Sequence, residues 1–105
     1  MTAVIDLIIP TVNGREESLE RCISSYTEMS AVELNVIVVP ESKNCGWGWL
    51  QGLQAGEAPY VLLACDDQEA IRPGWSERCI ETAMRGQLPC PRVWNADGSV
   101  ESNGD

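Results

Sequence analysis

Apolar residues concentrate in three short runs, Val4-Ile5-Asp6-Leu7-Ile8-Ile9, Leu34-Asn35-Val36-Ile37-Val38-Val39 and Tyr60-Val61-Leu62-Leu63-Ala64. The first two are closed by Pro10 and Pro40, and the third runs through Cys65 into Asp66 and Asp67. The first two runs, β-branched and closed by proline, predict strands, and the third, a short continuous apolar run, predicts a strand buried on both faces of a parallel sheet. Between the runs the spacing becomes helical. Leu19, Cys22, Ile23 and Tyr26 share one face while Glu16, Glu17, Glu20 and Arg21 lie elsewhere, which predicts a helix over 16–28. Asn13 and Glu16 have the spacing of a capping box at its start. Trp47 to Ala55 predicts a second short helix, with Gly48 and Gly52 working against it and Gly56 as its C-terminal cap. A third helix begins at Arg72-Pro73-Gly74-Trp75, carries Trp75, Cys79, Ile80, Ala83 and Met84 as its apolar positions, and stops at Gly86. The segment from Arg92 to Glu101 predicts a hairpin turning at Asp97-Gly98. Asp6 is the only charge inside the apolar runs, and it needs either a sheet edge or a buried partner.

The order strand, helix, strand, helix, strand, helix, hairpin predicts an α/β fold, with a mostly parallel sheet, right-handed crossovers and helices on both faces. At 105 residues the chain is expected to form a single domain over 1–105. Open sheets of this class bind ligands at the carboxyl ends of their strands, which puts Asp66 and Asp67 at a rim where a ligand would sit. Two adjacent carboxylates repel each other unless a metal, a basic residue or solvent compensates. The plainer reading is a solvated acidic turn.

Composition narrows the chemistry. A formal charge of −9 argues against nucleic acid as a partner, because phosphate backbones are bound mainly through Lys and Arg. With only seven basic residues, any bound diphosphate is expected to be neutralised mostly by a metal and by backbone N–H groups. The five cysteines form no C-x-x-C pair and histidine is absent, which argues against zinc; reduced, mostly buried thiols are expected. No apolar stretch reaches the roughly 18–20 residues of a membrane span, and the N-terminus lacks the pattern of a signal peptide, so a cytoplasmic location is expected. The P-loop pattern is absent, the loop after the first strand is not G-x-G-x-x-G, and without histidine the serine and cysteine hydrolase constellations fail.

Five separated motifs carry a resemblance. Ile8-Ile9-Pro10-Thr11-Val12-Asn13-Gly14 looks like the "IIPTYNG" opening of family-two glycosyltransferases. The segment from Asn44 to Leu53 resembles their "N-x-G-x-x-x-x-N-x-G" segment, and Leu63-Ala64-Cys65-Asp66-Asp67-Gln68-Glu69 resembles their metal-binding D-x-D region, written "LNDD-x-E". Pro73-Gly74-Trp75 matches the "PGW" that follows, and Asn95-Ala96-Asp97-Gly98-Ser99 resembles a hairpin of rhamnosyltransferase-like members. Each motif alone is weak; together they occur in order and with compatible spacing. The resemblance implies a Rossmann-like GT-A nucleotide-sugar-binding fold. It further implies nucleotide contacts from Pro10, Thr11, Asn13 and Glu16 after the first strand, from Glu41 and Ser42 after the second, and from Gln51 and Asp66. Asp66 and Asp67 would hold Mg²⁺ or Mn²⁺, with Asp67 the stronger candidate for direct contact, and the ligand would be a nucleoside diphosphate-sugar such as a UDP- or dTDP-sugar.

Three departures accompany it. Where the family has "V-V-D-N-x-S", this chain has Val39-Pro40-Glu41-Ser42, so Pro40 stands where a base-contacting Asp is expected and Glu41 follows one residue later. Cys65 occupies the first position of a strict D-x-D. The resemblance covers roughly the first half of the usual catalytic domain, and no residue here matches the "ED" general base of the second half. The chain therefore resembles a donor-binding half, which a second polypeptide or a homo-oligomer would have to complete for glycosyl transfer. A non-catalytic sugar-nucleotide-binding or assembly module and a degenerate remnant are the competing readings. For Trp47 and Trp49, packing is favoured over sugar stacking.

Overall fold

The computed structural model describes residues 3–89, 93–94 and 100–102. Its three apolar runs form parallel strands β1 (Ile5–Pro10), β2 (Leu34–Val39) and β3 (Tyr60–Leu63), in the order β2-β1-β3. Ile8 lies in register with Ile37 on one side and with Leu63 on the other. Three helices follow in turn, α1 (Glu16–Glu28), α2 (Cys45–Ala55) and α3 (Trp75–Met84). Two short strands, β4 (Val93–Trp94) and β5 (Val100–Ser102), pair antiparallel as the predicted hairpin; its Asp97-Gly98 turn lies outside the described residues. No helix among the described residues is long and apolar enough to cross a membrane.

Every residue of β1 is buried. Side chains alternate across a strand, and β1 uses the two sides differently. Leu7 and Ile9 join Cys22 and Ala64 in a core onto which Leu19, Ile23 and Tyr26 of α1, Leu34 and Val36 of β2, and Leu62 of β3 pack. On the opposite side, Asp6, Ile8 and Pro10 lie under Gly56, Gly52 and Gly48 of the α2 segment. The two helices thus cover opposite faces. The two crossovers also run in opposite directions across the sheet, so they share one handedness, as βαβ units require.

The glycines expected to weaken α2 are what bring it onto the sheet. A Cβ at Gly48 would come within 2.7 Å of Pro10 Cγ and 2.8 Å of Ser42 Oγ, and one at Gly52 would run into Ile8. Close contact with β1 offsets a propensity loss of about 1 kcal/mol per glycine. At the N-terminus of α2, Asn44 Oδ1 accepts the Trp47 N–H at 2.8 Å, a side-chain cap. Gly56 does occupy the C-cap, but its backbone is extended (φ −86°) rather than left-handed. Its lack of a side chain matters because a Cβ there would meet the Asp6 carboxylate.

Asp6 is on the central strand, not at an edge. It accepts from Asn35 Nδ2 at 2.9 Å and from the Ala58 N–H at 2.9 Å, tying β1 to β2 and to the α2–β3 turn. Two other expectations are corrected. β3 is an edge strand, and α2 lies over β1 and β2, so Val61 and Leu63 remain 43% and 44% exposed instead of buried on both faces. The Asn13–Glu16 capping box does not form. Gly14 (φ +94°) turns the chain so that Arg15 becomes the N-cap without a side-chain bond, while Glu16 accepts the Gly14 N–H at 3.2 Å and Asn13 is exposed. α3 docks on the far end of α1. Trp75 meets the Tyr26 ring edge-on at 5.3 Å, and the Gly74 N–H donates to the Met29 carbonyl at 3.2 Å.

Gly52→Ala should therefore destabilise the protein by about 1–2 kcal/mol, because overpacking against Ile8 outweighs the gain in helix propensity. Gly46→Ala, at a more open position where the nearest atom is Asn44 Oδ1 at 3.4 Å, should be neutral or mildly stabilising. Thermal melts of the two variants check this; an equal response would remove the close-approach account of α2.

Candidate functional site

From β1 the chain crosses to β2 on one side and then returns to β3 on the other. The carboxyl ends of β1 and β3 therefore flank a topological switch point, where open α/β sheets place ligands. The loops leaving the strands are bonded to one another there. The Thr11 N–H donates to the Val39 carbonyl at 3.0 Å and the Ser42 N–H to the Thr11 carbonyl at 3.1 Å, prolonging the β1–β2 pairing beyond the strands. Ser42 Oγ donates to the Val39 carbonyl at 2.7 Å. Glu41, between Pro40 and Ser42, takes the left-handed conformation (φ 53°), which costs a non-glycine residue about 1–2 kcal/mol.

At the switch point Asp66 is only 7% exposed. Its Oδ2 accepts from Thr11 Oγ1 at 2.7 Å and pairs with Arg15 Nε at 3.0 Å, and its backbone carbonyl accepts from Ser18 Oγ at 2.7 Å. Asp67 is different: its side chain is 63% exposed, with Arg15 Nη2 at 3.7 Å from Oδ2. An exposed pair at that separation is worth about 0–1 kcal/mol, so Asp66 is held and Asp67 is nearly free. Of the three ways to compensate two adjacent carboxylates, this rim uses a basic residue. Arg15 lies one residue beyond the Ile8–Gly14 motif and is not among the residues that the resemblance assigns to the site. Its one sequence signal is position, as the first basic residue after β1 and the last residue before α1.

Of the residues expected to bind nucleotide, Thr11 and Asp66 are brought together directly, and Ser42 joins them through the Thr11 backbone. Glu16 lines an open hollow of about 510 Å³ with Gly14, Arg15, Glu17, Ser18 and Arg21. Asn13 and Glu41 are exposed on their loops, and Pro10 is buried beneath Gly48. Gln51 is half-buried next to Gly52, which sits over Ile8 in mid-strand. By helix rise it lies about 10 Å along α2 from Asn44, away from the cluster. Trp49 packs, donating from Nε1 to the Ala64 carbonyl at 3.0 Å. Lys43 Nζ lies 5.8 Å from the centre of the Trp47 ring.

The four described cysteines are less buried than expected. Cys22 is buried, Cys65 and Cys79 are half-buried, and Cys45 is exposed, all as free thiols. Burial, with the charges of Asp66 and Asp67 adding to it, pushes the Cys22 thiol up to about 12, and it donates to the Cys65 carbonyl at 3.4 Å. Burial likewise pushes the Cys65 thiol up to about 11, with Cys45 beside it as the next cause.

The donor set can be weighed against a metal. Among the described residues no cluster of three or more His, Cys, Asp or Glu side chains is gathered for one. A Mg²⁺ or Mn²⁺ that keeps its waters and shares a ligand's phosphates needs only one or two carboxylates. Asp67 and the Oδ1 of Asp66 fit that lesser role, and releasing Asp67 from Arg15 costs at most about 1 kcal/mol.

Removing Asp66 strands the Thr11 hydroxyl and Arg15, so Asp66→Ala should cost about 2–4 kcal/mol, against less than about 1 kcal/mol for Asp67→Ala. Urea denaturation of both variants measures the difference; equal costs would mean that the rim bonds contribute nothing to Asp66.

Comparison with protein-family models, with curated proteins and with solved structures finds no match to this chain.

Proposed function

We propose that the rim between β1 and β3 binds a nucleoside diphosphate-sugar together with a divalent metal. The chain would then be the donor-binding half of a GT-A-type glycosyltransferase, with transfer requiring completion by a partner chain or a second copy. The observation that carries this reading is Asp66, a buried carboxylate at the switch point with an almost free carboxylate, Asp67, beside it and an arginine over both. The motif resemblance to family-two glycosyltransferases adds to it, being centred on the same two residues.

In this reading Thr11 and Ser18 hold the Asp66 loop in place, so that one carboxylate is oriented before any ligand arrives. Asp67 and Asp66 hold Mg²⁺ or Mn²⁺. The chemistry such an ion supplies is Lewis-acid stabilisation of a departing diphosphate. Arg15 opens onto the hollow at the start of α1 and can turn its guanidinium from Asp67 to a phosphate, bringing a fixed cation to an acidic protein. The loop of Ser42 is bonded to that of Thr11, so the two loops assigned to the nucleoside are tied to each other.

One observation favours a second reading. Arg15 already reaches both carboxylates, so the pair can serve as an internal clamp between α1 and β3 in a non-catalytic module or remnant. Thermal shift with UDP, Mn²⁺ and their combination separates the two. At about ten times Kd, UDP with Mn²⁺ should raise Tm by about 5–10 °C, UDP alone less, and Asp67→Ala should abolish the metal-dependent part. Equal shifts with and without Mn²⁺ would refute the metal role; no shift with any nucleotide would leave the clamp.

A further inference from the structure

The ligand reading makes no use of two cysteines at the same rim. Cys45 is the first residue of α2 and is exposed; Cys65 follows β3, is half-buried and directly precedes Asp66. One helical turn after Cys45, Trp49 Nε1 donates to the carbonyl of Ala64, the residue before Cys65, at 3.0 Å. Residues four apart share a helix face, so the face that carries Trp49 onto the end of β3 also carries Cys45, whose thiol neighbours that of Cys65. From the other side, Cys22 Sγ donates to the Cys65 carbonyl at 3.4 Å and fixes Cys65 against α1. The other described cysteines are poor competitors. Cys22 is fully buried with its thiol engaged, and Cys79 is on α3.

We propose that Cys45 and Cys65 are a redox-active pair, a modification site that closes to a disulfide on reaction with a low-molecular-weight disulfide. Cys45, the exposed thiol, loses its proton to solvent and attacks one sulfur of the small disulfide, forming a mixed disulfide and expelling one small thiolate. Cys65 then loses its proton and attacks the Cys45 sulfur, expelling the second. Two electrons pass to the small disulfide, which leaves as two thiols. The new bond ties the first turn of α2 to the loop that carries Asp66 and Asp67, so the rim becomes sensitive to redox state whatever ligand it binds.

Incubation of the whole chain with oxidised glutathione, alkylation of the remaining thiols and peptide mapping by mass spectrometry test this. The expected product is a Cys45–Cys65 cross-linked peptide pair, lighter by two hydrogens and reopened by dithiothreitol. Cys45→Ser and Cys65→Ser should each abolish it and Cys79→Ser should leave it intact. Mapping of the unsubstituted chain is decisive even if a variant folds poorly. Glutathione retained on Cys45 without transfer, a link from Cys45 to any other cysteine, or two fully alkylatable thiols would each overturn the proposal.

Discussion

β1 is covered on both faces and paired along both edges, so each of its side chains has to find a partner inside the protein. On the α1 side this is ordinary apolar packing, with Leu7 and Ile9 fully buried and each contributing about 1.5–3 kcal/mol relative to exposure. On the α2 side the helix arrives by its backbone, through Gly48 and Gly52, because Pro10 and Ile8 leave no room for side chains between them. Asp6 is the polar exception in that layer. Its burial is tolerable because both carboxylate oxygens are bonded, one to Asn35 and the other to the Ala58 N–H.

The same strand sets up the rim. Leaving β1, Thr11 stays paired to the end of β2 through its backbone and turns its hydroxyl to the continuation of β3, where it meets Asp66. α1 begins five residues on, late enough for Arg15 to close over the carboxylates from the third side. A chain with a formal charge of −9 thus sets one of its few cations against two adjacent anions. That arrangement stabilises the loop without a ligand and leaves Asp67 and the Arg15 fork available to one. The exposed apolar residues Val61 and Leu63 share the α2 face of the sheet with Asp6 and Ile8, but α2 lies over β1 and β2, so the sheet is well covered at its centre and thinly at that edge.

What the sequence determined by itself was local and periodic. α1 and β2 occupy the predicted spans, and the alternation of strands and helices specified a parallel α/β sheet, since these follow from spacing that each segment carries internally. The placement of Thr11, Asp66 and Asp67 just past the carboxyl ends of β1 and β3 was also legible, because motif and strand end coincide there. Tertiary structure alone decided the rest. Asp6 gained its partners from segments 29 and 52 residues away. Gly48 and Gly52 read as helix weaknesses until β1 lay beneath them, and Gln51 read as a rim residue until helix rise carried it down the sheet. Arg15 was unremarkable in sequence because its role depends on a carboxylate pair some fifty residues later. Periodicity records which face of an element is buried, whereas partners and register across the fold depend on where the chain returns in space.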